Sequence, residues 1–437
     1  MKSDLTRDTF DPAKQLSRVI MQQGRVALDA DHNEQVAIFW HYLRALAEDV
    51  IGPHAAPAAA GGFELEVTDK SQVTISAGRY YVDGILVEND TMRAYGEQPH
   101  YPVADDDPLI TLSGGEAATM FVYLDVWERH VTWIDDAGLR EVALGGPDTC
   151  TRAQVVWQVR VAPFEASADG NADPECSTEL KRLVPLSQAT LTAALDPGET
   201  TDDLRVMPPE SKYRGAENQL YRVEVHAPGD AGTATFKWSR DNGSVVTPLT
   251  TIDGNDLRVG STRGFAAGDW VELTNDVLDL RGEPGLLLRL AKVEGDALSL
   301  DPADASITFD ASAELHPKVR CWNQSSSEDI VLVDGGEQIH EPSEVQPNWI
   351  ALEDGILVQF DDGPYRTGDY WLIPARVATG KLEWPSTDGN PAAMRARGIH
   401  HHYAPLGFVA WDGKALSVSE SCRCTFGRIA VCADQQR

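Results

Sequence analysis

The run Gln22-Gln23-Gly24-Arg25-Val26-Ala27-Leu28-Asp29-Ala30-Asp31-His32-Asn33-Glu34-Gln35, with the apolar stretch that follows it to Ile51, decides how the rest of the chain is read. Asp31 and Glu34 have the spacing of a capping box and Gly52-Pro53 supplies a stop, so a helix is expected between them. Inside it Val36, Trp40, Leu43, Ala47 and Val50 recur at steps of four, three, four and three. That is the period of about 3.5 residues with which a helical seam meets another helix. A second line, Phe39, Tyr42 and Leu46, makes the apolar face wider than a two-stranded seam requires. The width suits three helices, or one helix lying on a β domain. The seam covers only two to three heptads, so the competing expectation is an ordinary amphipathic helix docked on its own chain.

Composition bounds the remainder. A chain of 437 residues exceeds one compact core and implies two to four domains, and 42% hydrophobic residues with eleven Trp can build them. The formal net charge of −31 repels phosphate backbones and anionic headgroups at long range, so neither nucleic acid nor membrane is an expected partner. The same charge also serves plain solubility at high copy number or high salt. No apolar run of about 18 residues occurs, and Met1-Lys2-Ser3-Asp4-Leu5-Thr6-Arg7-Asp8 has no apolar h-region. A cytoplasmic location without a signal peptide is expected. Six Cys without a CxxC pair argue for reduced thiols. Cys422-Arg423-Cys424 places two thiols on one strand face, which is short of a zinc set.

The fold class expected is mainly β: an N-terminal helix with a heptad seam, then two to three small antiparallel β domains, sandwich or barrel-like. Residues 1–62 comprise an approach segment, the oligomerisation helix and a linker, since His54-Ala55-Ala56-Pro57-Ala58-Ala59-Ala60-Gly61-Gly62 offers nothing to bury. From Phe63 the period changes to two, which opens a first β domain over 63–165 with an Asp83-Gly84 hairpin. Its long strands run from Met120 to Thr132 and from Gln154 to Val161. Residues 166–212 are Ala, Ser, Asp and Pro rich and read as a linker. A second β domain spans 213–318, with Asp241-Asn242-Gly243 expected to join Thr233–Ser239 and Ser244–Leu249 as a hairpin. A third β region with a His cluster and a Cys-bearing tail fills 319–437. Gly268-Asp269-Trp270-Val271 and Gly368-Asp369-Tyr370-Trp371 echo one another, too briefly to mark a duplication.

Chemistry-bearing patterns are few. In Gly398-Ile399-His400-His401-His402-Tyr403, His400 and His402 would share a strand face and could hold Zn²⁺ or Ni²⁺ with a third ligand, but packing and hydrogen bonding at a domain seam is the role expected. Asp361-Asp362-Gly363-Pro364 reads as a β-turn before half a Ca²⁺ site. Trp127, Trp238, Trp270, Trp371 and Trp384 suit strand cores as well as a sugar-stacking platform. With 68 acidic residues any two carboxylates can be nominated for glycoside hydrolysis, so their presence carries little information. No GxSxG, P-loop or GxGxxG-plus-helix is present, and no catalytic residue or cofactor is expected.

Several of these stretches carry a resemblance. Phe10-Asp11-Pro12-Ala13-Lys14, Met21 to Gln35, Tyr123 to His130, Glu141 to Thr149, Tyr213-Arg214-Gly215, Leu220 to Glu224, Phe236 to Ser244 and His400 to Leu406 resemble a bacterial family of unknown function. The genes of that family lie beside contractile injection systems and other phage-tail-like particles. The helix entry, followed by Ile75 to Gly84, is similar to the N-terminal region of phage baseplate and fibre-attachment proteins, where such a helix helps subunits associate. The resemblance implies a non-enzymatic connector, baseplate or fibre-attachment subunit with other particle subunits as partners, outside the cell only as part of a released particle; the heptad stripe and the second apolar line beside it point to a homotrimer through Val36, Phe39, Trp40, Leu43, Ala47 and Val50. The alternative is a carbohydrate-binding or glycan-cleaving module.

Overall fold

A computed structural model describes residues 1–68, 72–112, 117–146, 148–164, 176–183, 188–197, 212–301, 307–324, 332–340, 348–361 and 363–428. It is mainly β, built around three apolar cores, with one long helix at the N-terminal side. Helix α1 spans Asp29–Ile51 and ends at Gly52, whose φ of 93° is reached without strain only by glycine, as its sequence position implied. Its start differs from the expectation. Asp31 and Glu34 lie inside the helix and form no capping box, and Leu28 occupies the cap without a side-chain bond. The acids at this end bind the preceding segment instead. Asp29 accepts the Thr6 amide (2.9 Å) and hydroxyl (2.6 Å), and Glu34 accepts the Thr9 hydroxyl (2.6 Å).

The first core lies between two four-stranded sheets and a small three-stranded one. Strand Ala118–Val131 pairs with Arg152–Pro163 from Met120 to Val131, burying Val122, Leu124 and Val126 on one face. On its other side it pairs with His402–Trp411, which pairs in turn with Leu416–Ser421. The expected linker 54–62 is partly a strand. His54–Pro57 pairs with Gly78–Val82 and, in parallel, with Thr425–Phe426, and Ala55 and Ala56 are buried. A small side chain here is what close strand contact demands, so the run of alanines marks packing where composition suggested emptiness. The Asp83-Gly84 hairpin between Gly78–Val82 and Ile85–Asn89 forms as expected, with Asp83 and Gly84 both at positive φ. A Cβ on Gly84 would lie 2.4 Å from the Arg44 carbonyl, so this turn is where α1 rests on the β body.

The second core holds Tyr221, Val223, Phe236, Trp238, Trp371 and Ile373, under a six-stranded sheet that includes Gln219–Val225, Thr235–Ser239 and Tyr370–Arg376. Thr190–Leu195, which falls within the expected linker 166–212, is a central strand of its companion sheet and pairs with Ile356–Phe360 and Met394–Arg395. The third core fills a closed six-stranded barrel running from Val246 to Trp322. The three units are therefore nested: the chain leaves the first for the second, leaves that for the barrel, and returns through each in reverse. Segments expected as successive, 63–165, 213–318 and 319–437, interleave in the strand pairing.

The Asn-Gly hairpin is a correction of the same kind. Asn242 and Gly243 do take positive φ, at 51° and 63°. Thr235–Ser239, however, pairs with Gln219–Val225 and Gly336–Gln338, whereas Val246–Asp253 belongs to the barrel and pairs with Asp256–Val259 and Lys318–Trp322. A turn signal fixes four residues, and the apolar faces beyond it select the partners.

Candidate functional site

The N-terminal 51 residues are held to the body by their polar groups. From the arm 1–9, Lys2 Nζ reaches Glu224 (2.8 Å), Arg376 donates to the Thr6 carbonyl (3.0 Å) and Arg7 pairs with Glu383 (3.2 Å). Asn242 donates to the carbonyls of Met1 (3.0 Å) and Ser3 (2.8 Å), so the mispredicted hairpin turn is the seat of this arm. On the helix Arg44 pairs with Glu128 (3.0 Å), and only Ala30 and Ile38 are buried. This anchorage leaves the wide apolar face turned outward. Val36, Trp40, Leu43 and Val50 of the seam are between 42% and 55% exposed, and Phe39, Tyr42 and Leu46 of the flanking line exceed 60%. Ala47 is half-buried. Leu16, Ile20, Met21 and Val26 in the preceding segment are exposed as well.

The joints between units are ionic and buried. Glu224 accepts Arg222 Nε (2.5 Å) besides Lys2, and Lys237 lies between Glu224 (3.4 Å) and Glu272. The second oxygen of Glu272 accepts the Trp322 indole (2.9 Å). Burial alone would raise the Glu224 carboxyl, but Lys2, Arg222 and Lys237 hold it well below its ordinary range and keep it ionised. A second joint ties the first sheet to the barrel: Lys318 bridges Asp135 (3.0 Å) and Asp279 (2.8 Å), and Arg129 bridges Asp135 (3.2 Å) and Asp276. Asp279 belongs to the short helix Asp276–Arg281. Paired buried charges of this kind fix one mutual arrangement at little net gain in stability.

His400 and His402 do not converge. His402 Nδ1 contacts Asp83 (2.9 Å) at the hairpin under α1, and His400 is exposed. His401 faces the other side of the sheet, with Nδ1 2.7 Å from Asp125 and its ring on Trp127. Among the described residues no group of three His, Cys, Asp or Glu has metal-binding geometry. Trp127, Trp238 and Trp371 are buried in cores, and Trp270 and Trp384 are half-buried. Asp362 lies outside the described residues; Asp361 accepts the Thr190 hydroxyl (2.5 Å). The echoed Gly-Asp-aromatic pairs share one local device. Asp269 and Asp369 each take the backbone amide three residues upstream, at 2.7 and 3.2 Å, and each opens a strand.

The cysteines depart from the expectation of reduced thiols. Cys176 and Cys422 form a disulfide that ties helix α2, Cys176–Leu183, to the end of strand Leu416–Ser421, 246 residues on. Sequence spacing carried no sign of this, because the two residues meet only through the nesting of the units. No helix among the described residues is long and apolar enough to cross a membrane.

No curated protein and no solved structure matches the chain. The family described as one of unknown function, DUF6519, matches residues 1–173 and 168–437, and the chain belongs to it.

Proposed function

We propose that the chain is a non-enzymatic structural subunit, a connector, baseplate or fibre-attachment component of a phage-tail-like contractile injection particle, that assembles as a homotrimer through α1. The observation that carries this reading is the outward apolar face of α1 on a helix already anchored by its opposite side. Covering a large apolar side chain contributes about 1.5–3 kcal/mol, and seven such side chains share this face, enough to offset the entropy of association. Copies of the same helix suit it because the period of about 3.5 residues presents a self-complementary seam, and the second line of side chains fits three helices better than two. The ionic joints support a body that transmits position as one piece. The Cys176–Cys422 disulfide accords with service outside the cytoplasm in a released particle.

The test is Trp40→Asp combined with Leu43→Asp. The expected outcome is loss of the oligomer and of incorporation into particles, with the β units still melting cooperatively near the unaltered temperature. An unchanged oligomer in this variant contradicts the proposal.

A further inference from the structure

The outer face of the sheet formed by 118–131, 152–163 and 402–411 carries a polar constellation that the assembly reading leaves unused. Strand alternation places Tyr123, Asp125 and Trp127 on this face, and the register sets Tyr403 beside Asp125 and Arg160 beside Tyr123. Asp125 is 1% exposed and uses both oxygens: Oδ1 faces His401 Nδ1 at 2.7 Å and Oδ2 accepts Arg160 at 3.3 Å. His401 is stacked between Trp127 (centroids 4.7 Å apart) and Tyr403 (6.0 Å). The patch is walled by the loop through His100 and by Leu280 of α3 (Asp276–Arg281), both fixed by Gln158, whose amide donates to their carbonyls at 2.6 and 3.0 Å.

A buried carboxylate needs partners, and Arg160 alone would serve. A purely structural role does not call for the polar groups that half-buried side chains bring to its rim, which have no hydrogen-bond partner among the described residues: His401 Nε2, the hydroxyls of Tyr123 and Tyr403, and the remaining N–H groups of Arg160. Burial raises both phenols above their ordinary range, so they remain donors. With Nδ1 engaged by Asp125, His401 leaves Nε2 for a ligand hydroxyl, as acceptor in the neutral ring and as donor in the imidazolium. Arg160 offers the planar fork that matches a carboxylate. Because the two side chains bind opposite oxygens of one carboxylate, Arg160 and His401 flank Asp125 on one face of the sheet.

We propose that this patch binds a hydroxylated carboxylate of the uronic acid class, its carboxylate on Arg160 and a ring hydroxyl on His401 Nε2, with Tyr123 and Tyr403 donating to its other oxygens. The site is independent of α1 and of the oligomeric state.

The probe is sodium D-glucuronate, titrated into the full chain while tryptophan fluorescence and calorimetry are followed, with D-glucose as the control lacking the carboxylate. Saturable binding with a Kd of about 1 mM is expected for glucuronate, as suits a single small ligand. Arg160→Met is expected to weaken it at least about ten-fold. Should Arg160→Met fail to fold, as judged by near-ultraviolet dichroism, Tyr123→Phe and Tyr403→Phe, which remove only the free hydroxyls, are each expected to weaken binding several-fold. The assembly variant Trp40→Asp/Leu43→Asp is expected to bind as the unaltered chain does, which separates this proposal from the assembly reading. No saturable response to glucuronate, equal binding of glucose, or affinity unaffected in the folded variants overturns it.

Discussion

Glu337 is 1% exposed in strand Gly336–Gln338; one oxygen accepts the Trp238 indole at 2.9 Å and the other has no partner among the described residues. Burial pushes its carboxyl up to about 8, which the single bond from Trp238 opposes without reversing, and no charged group compensates. The folded value lies above the unfolded one, so the contribution of the protonated acid is fully present below the ordinary carboxylate value of about 4.5 and is lost as pH rises through about 8. Glu337→Gln is therefore expected to leave stability nearly unchanged at pH 4 to 5 and to raise it at pH 9 by a few kcal/mol, on the order of the shift itself. Denaturant unfolding of both forms across this range checks it; a constant difference would contradict the assignment. None of this was legible in the sequence, where Glu337 is one of 68 acids. By contrast Asn242-Gly243 announced its positive φ values correctly but not its task, because a buried side-chain amide holding the carbonyls of Met1 and Ser3 leaves no periodic trace.

Among the elements, α1 was the most legible. Its period, its stop at Gly52 and its excess of apolar surface are all properties of contiguous residues. Its entry was misread because Asp29 and Glu34 are engaged by Thr6 and Thr9, contacts made by a segment whose path no local rule gives. The alanine-rich strand His54–Pro57 was misread for the complementary reason, that small residues mark either a loop or a close strand contact. The arm 1–9 supplies the test at this scale. Glu224 has three basic partners, so Lys2→Met removes one of three, whereas Glu224→Ala leaves Arg222 and Lys237 in a buried site without it. Glu224→Ala is expected to cost about 3–5 kcal/mol and Lys2→Met distinctly less, by chemical unfolding at neutral pH. Equal losses would mean that the cluster is not organised on Glu224. For the candidate sites, the sequence singled out the His run, with His400 and His402 on one strand face. His401, not His400 or His402, shares a face with Asp125, because His402 pairs with Val126 of the core-facing row and its neighbour His401 falls on the opposite face.

At the scale of the whole molecule, the mainly β class and the N-terminal helix followed from periodicity, while the nesting of the three units did not. Strand periodicity locates strands without naming their partners, and here residues 402–411 return to pair with 118–126 across two intervening units. The disulfide between Cys176 and Cys422 was hidden by the same topology. Nesting has a mechanical consequence, since each junction between successive units is made by two chain crossings, and the units are braced by the buried ion pairs of Glu224, Glu272, Asp135 and Lys318. In the proposed assembly the body presents α1 as a rigid mount, and a net charge of −31 keeps copies apart except at the apolar seam. The most direct test is the mass of the full chain in solution by sedimentation equilibrium at tens of micromolar. The account predicts three times the chain mass of 47.7 kDa, and a single 47.7 kDa species at that concentration would contradict it.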